Sequence, residues 1–213
     1  MGLTMDIHVH TNRYSACSVI EPQQLVRRAV RAGLDGLVIT EHGRQWTMIE
    51  LTELLESANE PHFLLLAGFE YASKQGDILI YGLMPEQVRG FPPGMPPGMA
   101  VERAHDLGAV CIAAHPTRAC LGFDDAIFSI PFDAIEVQSV NLKEHEQRLA
   151  MQLAENTNLP PTAASDAHRI EDVGRYATEF NDPIQTMADL QECLKRGRFR
   201  PATLRNEQRI GSA

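Results

Sequence analysis

Short apolar runs, each with the length of a buried strand, recur along the chain. They are "DIHVH", "LVITEH", "HFLLLAGFE", "DILIYGL", "AVCIAAH", "AIEVQ" and "TAAS". Many are separated by segments in which apolar residues repeat every three or four positions, as on one face of a helix. The segment "EPQQLVRRAVRAGLDG" has Pro22 near its start and Gly33 at its end, which suit the first turn and the end of a helix.

The alternation of these two patterns predicts an α/β fold. The first strand, helix and strand form a unit whose two strands are expected to pair in parallel. Further helical patterns occur in "MAVERAHDLG", "EHEQRLAMQLAENTN" and "IQTMADLQECLKRG". About seven strands, many of them joined by helices, are typical of an α/β barrel or a layered α/β sheet.

Length and composition favour a single domain that spans residues 1–213. The chain is 44% hydrophobic and 22% charged, which is ordinary for a globular domain with a sizeable core. The Pro/Gly loop "GFPPGMPPGM" is too short to link two domains. The four cysteines form no CxxC pair, and we interpret them as reduced thiols.

The overall charge of the chain is acidic. A net charge of −9 argues against bulk nucleic-acid binding, which needs clustered Lys and Arg. No segment approaches the length of a membrane span, and the N-terminus lacks a basic region followed by a long apolar run. We therefore expect a cytoplasmic protein that does not engage a membrane, and no feature predicts its oligomeric state.

Polar residues with metal-binding side chains fall at the carboxyl ends of the predicted strands. They are His8, His10, Glu41, His42, Glu70, His115, Asp166 and His168. In a parallel α/β barrel those strand ends share one rim, where sites are assembled from several strands. Residues two apart on a strand point the same way, so each His or Asp pair can converge on one point. Imidazoles and carboxylates together suit zinc, manganese or iron, and several carboxylates allow two ions to be bridged.

A simpler interpretation exists for each group taken alone. Two histidines in an HxH pair can be partners of buried backbone or a chance surface pair. Five strand ends that all carry such residues are much harder to explain by chance, which favours a metal site. His62, His105 and His145 lie outside the pattern, and we interpret them as structural.

Five ordered motifs resemble those of the PHP (polymerase and histidinol phosphatase) domain family. They are "DIHVHT", "GLVITEH", "AGFEY", "AAHPTR" and "ASDAHR", and they extend the resemblance from Asp6 to about Pro201. The family includes histidinol-phosphate phosphatases, nucleotide and oligonucleotide phosphoesterases and a domain of bacterial replicative polymerases. The resemblance implies a distorted seven-stranded (β/α)7 barrel with one to three divalent metal ions at its carboxyl rim.

The resemblance also implies a ligand set. It assigns the first ion to His8, His10, Glu70 and Asp166, lets Glu70 bridge to a second ion at His115, and assigns a third ion to His42 and His168. Two positions depart from the family pattern. The ligand expected shortly after the HxH pair falls near Ser15, and the fourth strand offers Asp77, either as a ligand or as a turn residue. A dinuclear centre is therefore favoured over a trinuclear one.

The chemistry of phosphoester hydrolysis agrees with this ligand set. Two close divalent ions lower the pKa of a bound water and face the phosphoryl oxygens, so a metal-bound hydroxide is the expected nucleophile. Arg118 in "HPTR" is a candidate for binding the phosphate through its bidentate fork. His168 is a candidate general acid if the third ion is absent. Asp6 is expected to orient a ligand through its ring nitrogen.

Three functions are compatible with these residues. The leading one is a metal-dependent phosphoesterase that acts on a small phosphorylated metabolite or nucleotide. The first alternative is an amidohydrolase-like enzyme that cleaves C–N bonds, although no strand end here carries the lysine that such sites usually recruit. The second is a non-catalytic, metal-stabilised binding domain, which the missing ligand near Ser15 leaves open. Residue types do not reveal the substrate.

Overall fold

A computed structural model describes residues 2–202 of the chain, which form one mixed sheet surrounded by helices. The strands are β1 (Leu3–Val9), β2 (Gly36–His42), β3 (Leu64–Ala72), β4 (Asp77–Tyr81), β5 (Val110–Ala114), β6 (Ala134–Gln138), β7 (Pro161–Ala163), β8 (Thr178–Phe180) and β9 (Phe199–Pro201). The α-helices are α1 (Pro22–Arg31), α2 (Met48–Ala58), α3 (Pro97–Asp106), α4 (Glu144–Thr157) and α5 (Met187–Lys195).

The sheet runs in the order β7-β6-β5-β4-β3-β2-β1-β8-β9 and is nearly closed into a barrel. The amide of Asp166 donates to the carbonyl of His8 at 2.8 Å, and the amide of His10 donates to the carbonyl of Ala167 at 3.1 Å. These bonds join the segment after β7 to the end of β1. Nearer its start, β1 pairs with β8 in the antiparallel direction.

The expected α/β barrel is therefore confirmed as an architecture, but the predicted seven strands and the regular (β/α)7 alternation are wrong. Nine strands and five α-helices occupy the described residues. The strands β1 and β2 pair in parallel as predicted, but β4 is antiparallel to both of its neighbours. The strands β8 and β9 were not predicted, because each has three residues with a charged residue at the centre and so forms no apolar run.

The reversal at β4 follows from the short connection that precedes it. Residues 73–76 form a tight turn in which the amide of Ser73 donates to the carbonyl of Gly76 at 3.2 Å. Gly76 has a φ of +80°, and the ring of Phe123 fills the space that a β-carbon would need. Because β4 is antiparallel, its first residue, Asp77, lies beside Ala72 and Ala114 at the rim where β3 and β5 end.

The helices cover the sheet through apolar faces. The α1 helix begins at Pro22 and buries Leu25, Val26 and Ala29 against α2 and the first strands, as its pattern predicts. The α2 helix begins with a capping box between Thr47 and Glu50. This helix was not among the predicted ones. Within residues 2–202, no helix is both long and apolar enough to cross a bilayer.

Candidate metal centre

The side chains predicted to be metal ligands lie together at one rim of the barrel. Four overlapping groups each bring their donor atoms within 4.8 Å of one another. The groups are His8, His10 and Glu70; His8, His115 and Asp166; Glu70, Asp77 and His115; and His10, His42 and His168. The fold therefore brings together all eight residues that were predicted to be metal ligands. Two of them had an alternative role in the sequence analysis, Asp77 as a turn residue and His168 as a general acid.

The inner donor group consists of His8, His10, Glu70 and Asp166, and all four side chains are buried. The Nε2 atoms of His8 and His10 are 3.1 Å apart. Each of these atoms also lies 3.1 to 3.3 Å from one oxygen of Glu70 and one of Asp166. Ligand atoms that surround one ion at ~2.0–2.2 Å lie roughly 3 to 3.5 Å from each other. Both histidine nitrogens thus have the spacing to each other and to either carboxylate that ligands of one divalent ion have.

A second set of donors adjoins the inner group through Glu70. His115 Nε2 lies 3.2 Å from Glu70 Oε1, 3.7 Å from Asp77 Oδ2 and 4.0 Å from Asp166 Oδ2. Its other ring nitrogen, Nδ1, is buried and has no hydrogen-bond partner among the described residues. Glu70 therefore lies between two sets of donors and can bridge them.

The outer donor group, His42 and His168, lies on the solvent side of His10. Both rings pack against the ring of His10 with centroids 4.5 Å away. Their side chains are 40% and 25% exposed, whereas His10 is fully buried. Ser15 stands next to this group, where the family pattern expects a ligand. Its hydroxyl donates to Glu41 at 2.5 Å and accepts from the amide of His42 at 3.1 Å.

Two residues of the centre have an unusual backbone conformation. His115 has a φ of +26° and Asp166 a φ of +51°, a region that L-residues rarely adopt. Asn141 donates to the carbonyl and to Oδ2 of Asp166 at 2.8 and 2.7 Å. Glu136 accepts the amide hydrogen of His115 at 2.9 Å. These contacts oppose a backbone cost on the order of 1–3 kcal/mol per residue.

Comparison with known families agrees with this geometry. The PHP domain family matches residues 6–159, and a PHP-associated region matches residues 144–199. This chain belongs to the PHP domain family. The resemblance inferred from the five sequence motifs is therefore confirmed.

Individual relatives of this PHP domain extend the comparison. MJ1587, an uncharacterised protein of Methanocaldococcus jannaschii, is 29% identical over 143 residues, which are 62% of this chain and 79% of that protein. A two-domain Bacteroides vulgatus protein, described as containing a predicted PHP-like metal-dependent phosphoesterase, has a TM-score of 0.69 and 18% identity over 95% of this chain and 65% of its own. The lesion-specific endonuclease PfuEndoQ of Pyrococcus furiosus has a TM-score of 0.67 and 16% identity over 94% of this chain and 58% of its own. These two structures share the fold.

Opposite charges dominate the inner donor group of the PHP domain. Burial alone lowers the pKa of His8, but Asp166 and Glu70 outweigh burial and raise that pKa well above its usual value. Burial also opposes a charge on His10, yet hydrogen bonds with Asp166 and Glu70 raise its pKa to about 9. Burial raises the pKa of Glu70, but His8 and its other histidine partners lower it well below the usual range. The inner carboxylates therefore favour the protonated form of the inner histidines, and the histidines favour the ionised form of Glu70.

The outer donors and Asp77 behave differently. Burial lowers the pKa of His42 and of His168, and the neighbouring His10 lowers both further. Burial and the charge of Glu70 raise the pKa of Asp77 to about 6. The outer rings are therefore neutral near pH 7, which is the form that binds a metal ion.

Arg118 lies at the edge of the centre, as predicted. Its Nη1 atom is 3.9 Å from Asp166 Oδ2, and its side chain is 31% exposed. The amide of Arg118 donates to the carbonyl of His115 at 3.0 Å, so a tight turn joins Arg118 to a candidate ligand. The guanidinium can thus reach a molecule that enters the centre from solvent.

Asp6 does not contact a histidine ring as expected, and the ring nitrogen Nδ1 of His8 has a different partner. Asp6 accepts the amide hydrogens of Ser165 at 2.9 Å and Gly174 at 3.3 Å, so it holds backbone rather than a ring. Burial raises its pKa to about 6. The Nδ1 atom of His8 instead contacts Glu136 at 3.0 Å. Glu136 and Asn141 were both missed, and the only sequence signal for Glu136 is an acidic residue in the apolar run "AIEVQ".

Proposed function

We propose that this PHP domain is a metal-dependent phosphoesterase that hydrolyses a small phosphorylated metabolite or nucleotide. The observation that most supports it is the position of Glu70. One of its oxygens faces His8 and His115, and the other faces His10 and His42. A carboxylate shared in this way suits two close divalent ions.

The donor sets divide the centre between two ions. His8, His10, Glu70 and Asp166 would hold one ion, and Glu70, Asp77 and His115 would hold the other. Imidazole and carboxylate donors together suit zinc, manganese or iron. Two such ions supply positive charge to phosphoryl oxygens and lower the pKa of water, both of which phosphoester hydrolysis requires.

The side chain of Arg118 would bind the phosphoryl group. A guanidinium offers two parallel N–H donors that match two phosphoryl oxygens. Its partial exposure and its 3.9 Å distance from Asp166 allow it to reach substrate beside the metal donors. We therefore assign Arg118 to substrate binding rather than to metal binding.

His168 would serve as an outer metal donor. Its Nδ1 atom lies 3.0 Å from the carbonyl of Asp166, and a ring nitrogen of His168 lies within 4.8 Å of donor atoms of His10 and His42. Burial lowers its pKa, which disfavours the protonated ring that a general acid needs near pH 7. The ligand role is thus the stronger of the two assignments made from the sequence.

A small substrate agrees with the charge of the chain. The net charge of −9 repels a polyanion, and Arg13, one of the cations near the rim, is already paired with Glu50 at 3.1 Å. The similarity to an endonuclease makes oligonucleotides the second substrate class to assay. The Glu70 contacts support metal binding under all three functions. Membership of the PHP family is what favours the phosphoesterase over the C–N hydrolase and the binding domain.

The proposal is tested by hydrolysis assays on the manganese-, iron- and zinc-loaded protein. The substrates are p-nitrophenyl phosphate, bis-p-nitrophenyl phosphate, a single-stranded oligonucleotide and an N-acyl amino acid. Asp166→Asn and Arg118→Ala are compared with the wild type, and His105→Ala is the matched control because His105 pairs with Asp133 outside the centre.

The expected results separate the alternatives. We expect hydrolysis of a small ester, a loss of more than about 100-fold in Asp166→Asn, and a KM raised roughly tenfold in Arg118→Ala with unchanged metal content. The control should retain full activity. Cleavage of the amide alone would support the C–N hydrolase. A metal-loaded protein that cleaves none of the four substrates would support the binding domain.

A further inference from the structure

Glu136 on β6 is a buried carboxylate that belongs to none of the four donor groups. Its side chain is fully buried, and each oxygen has a different partner. Oε1 lies 3.0 Å from Nδ1 of His8, and Oε2 accepts the amide hydrogen of His115 at 2.9 Å. One side chain therefore contacts a member of each of the two donor sets that meet at Glu70.

The contact with His8 determines which ring nitrogen can bind an ion. A carboxylate accepts hydrogen bonds, so the proton on Nδ1 is retained in this contact. In a neutral ring the lone pair then belongs to Nε2, the atom that faces His10, Glu70 and Asp166. A carboxylate behind a metal-binding histidine fixes both the tautomer and the orientation of the ring.

The contact with His115 acts on the backbone instead of on a ring. His115 has a φ of +26°, which non-glycine residues rarely adopt. Its amide hydrogen would lack a partner in the buried interior if Glu136 were removed. The carboxylate of Glu136 therefore supports the backbone conformation that presents the His115 ring to Glu70 and Asp77.

We propose that Glu136 is a positioning residue that couples the two donor sets of the metal centre. It holds His8 through the ring and His115 through the backbone, so both sets depend on one carboxylate. This inference rests on the proposed metal centre, but it concerns metal binding and can be tested apart from hydrolysis.

Glu136→Gln is the decisive variant because it keeps the size of the side chain. A glutamine has one acceptor oxygen and one NH2 group, whereas both partners of Glu136 are N–H donors. Either the amide of His115 then faces a donor, or His8 must move its proton to Nε2, where it blocks an ion. Both results weaken metal binding.

Asp133→Asn is a matched control at the opposite end of β5. Asp133 accepts from a histidine ring, that of His105 at 2.9 Å, and from a backbone amide, that of Cys111 at 2.8 Å. Asp133 therefore has the same two kinds of partner as Glu136, away from the centre, but both contacts end on one oxygen, Oδ2, which an asparagine can keep. A general effect of removing the charge of a carboxylate beside a histidine would appear in this control.

The experiment titrates metal-free protein with Mn²⁺ by calorimetry and measures the Mn²⁺-dependent rise in Tm. We expect Glu136→Gln to bind Mn²⁺ about 10 to 100 times more weakly than the wild type, with a smaller rise in Tm. Asp133→Asn should match the wild type in both. Equal Mn²⁺ affinity in Glu136→Gln and wild type would overturn the proposal, as would a wild type that binds no Mn²⁺.

A second measurement needs no variant and therefore does not depend on the folding of Glu136→Gln. Long-range ¹H–¹⁵N spectra of the zinc-loaded wild type, labelled at histidine, report which nitrogen of His8 carries the proton. We expect the proton on Nδ1, bound to Glu136, and zinc on Nε2. The reverse assignment would contradict the positioning role. A protein that binds ions as expected but hydrolyses no phosphoester would refute the proposed function and leave this inference intact.

Discussion

The inner and outer donor groups of the candidate metal centre differ in burial, in the charge of their histidines and in their hydrogen-bond partners. His8, His10, Glu70 and Asp166 are buried, and the Nε2 atoms of the two histidines lie 3.1 to 3.3 Å from each other and from an oxygen of each carboxylate. The outer rings of His42 and His168 are partly exposed and have a serine hydroxyl beside them where a ligand is expected. A chain that fixes some donors by burial and leaves others in contact with solvent is expected to bind its ions with unequal strength.

The largest effect should come from removing the shared carboxylate. Glu70→Gln replaces an anion that faces four histidines with a neutral amide, so both donor sets lose their common ligand. We expect Mn²⁺ binding and phosphoester hydrolysis to fall by more than about 100-fold. Calorimetry and initial rates measure the two losses. If Glu70→Gln retained the full complement of ions, the inner donor group would not be the metal site.

A smaller effect is expected from the outer group. His168→Ala removes a partly exposed donor and leaves the inner contacts intact. We expect a loss of activity of about tenfold, equal for p-nitrophenyl and alkyl esters, with the inner ions retained. The rates on the two esters and the metal content test this. A loss confined to the alkyl ester, whose leaving group needs a proton, would assign His168 as a general acid instead.

The inner and outer donor groups should also differ in how their metal binding depends on pH. Hydrogen bonds with Asp166 and Glu70 raise the pKa of His10 to about 9, and the same two carboxylates raise that of His8, so the inner histidine pair holds an additional proton at pH 7. An ion needs their neutral form, so binding releases protons and affinity rises with pH. We expect an increase of about tenfold per pH unit for each proton released between pH 6 and 8.

The released protons can be counted directly. Calorimetry of Mn²⁺ binding in two buffers of different ionisation enthalpy gives their number. The outer rings have lowered pKa values and should contribute none above pH 7. Binding that released no protons over this range would show that the inner histidines are not ligands.

The smallest effect concerns Ser15. Its hydroxyl contacts Glu41 and the amide of His42, so Ser15→Ala should cost roughly 1–2 kcal/mol in the free energy of unfolding. We expect the number of bound ions to stay the same, because the hydroxyl already has partners. Urea denaturation and elemental analysis measure the two quantities. Loss of an ion in Ser15→Ala would identify the hydroxyl as a ligand.

The sequence predicted the candidate metal ligands better than it predicted the contacts and the backbone conformation that hold them in place. Histidines and carboxylates at strand ends are visible as patterns, and parallel topology brings such ends to one rim. The partner of His8, Glu136, lies 128 positions away along the chain, and no local pattern can join the two residues. The positive φ of His115 and Asp166 depends on tertiary contacts in the same way.

Some elements of the fold were not predicted, and the sequence signals for these elements differ in strength. The capping box of α2 can be read from Thr47 and Glu50 three residues apart, so that helix had a usable signal. The reversed direction of β4 follows from the few residues between it and β3, which leave no room for a crossover helix. The strands β8 and β9 had no such signal because a charged residue interrupts each of these three-residue strands, whereas the equally short β7 overlaps the apolar run "TAAS".

The most direct test of the two donor sets is a crystal structure of the Mn²⁺-loaded protein with an anomalous difference map. Two peaks are predicted on opposite sides of the Glu70 carboxylate. One should lie among His8, His10 and Asp166, and the other between Asp77 and His115. An ordered protein with no peak at either position, at saturating Mn²⁺, would contradict the metal centre proposed for this PHP domain.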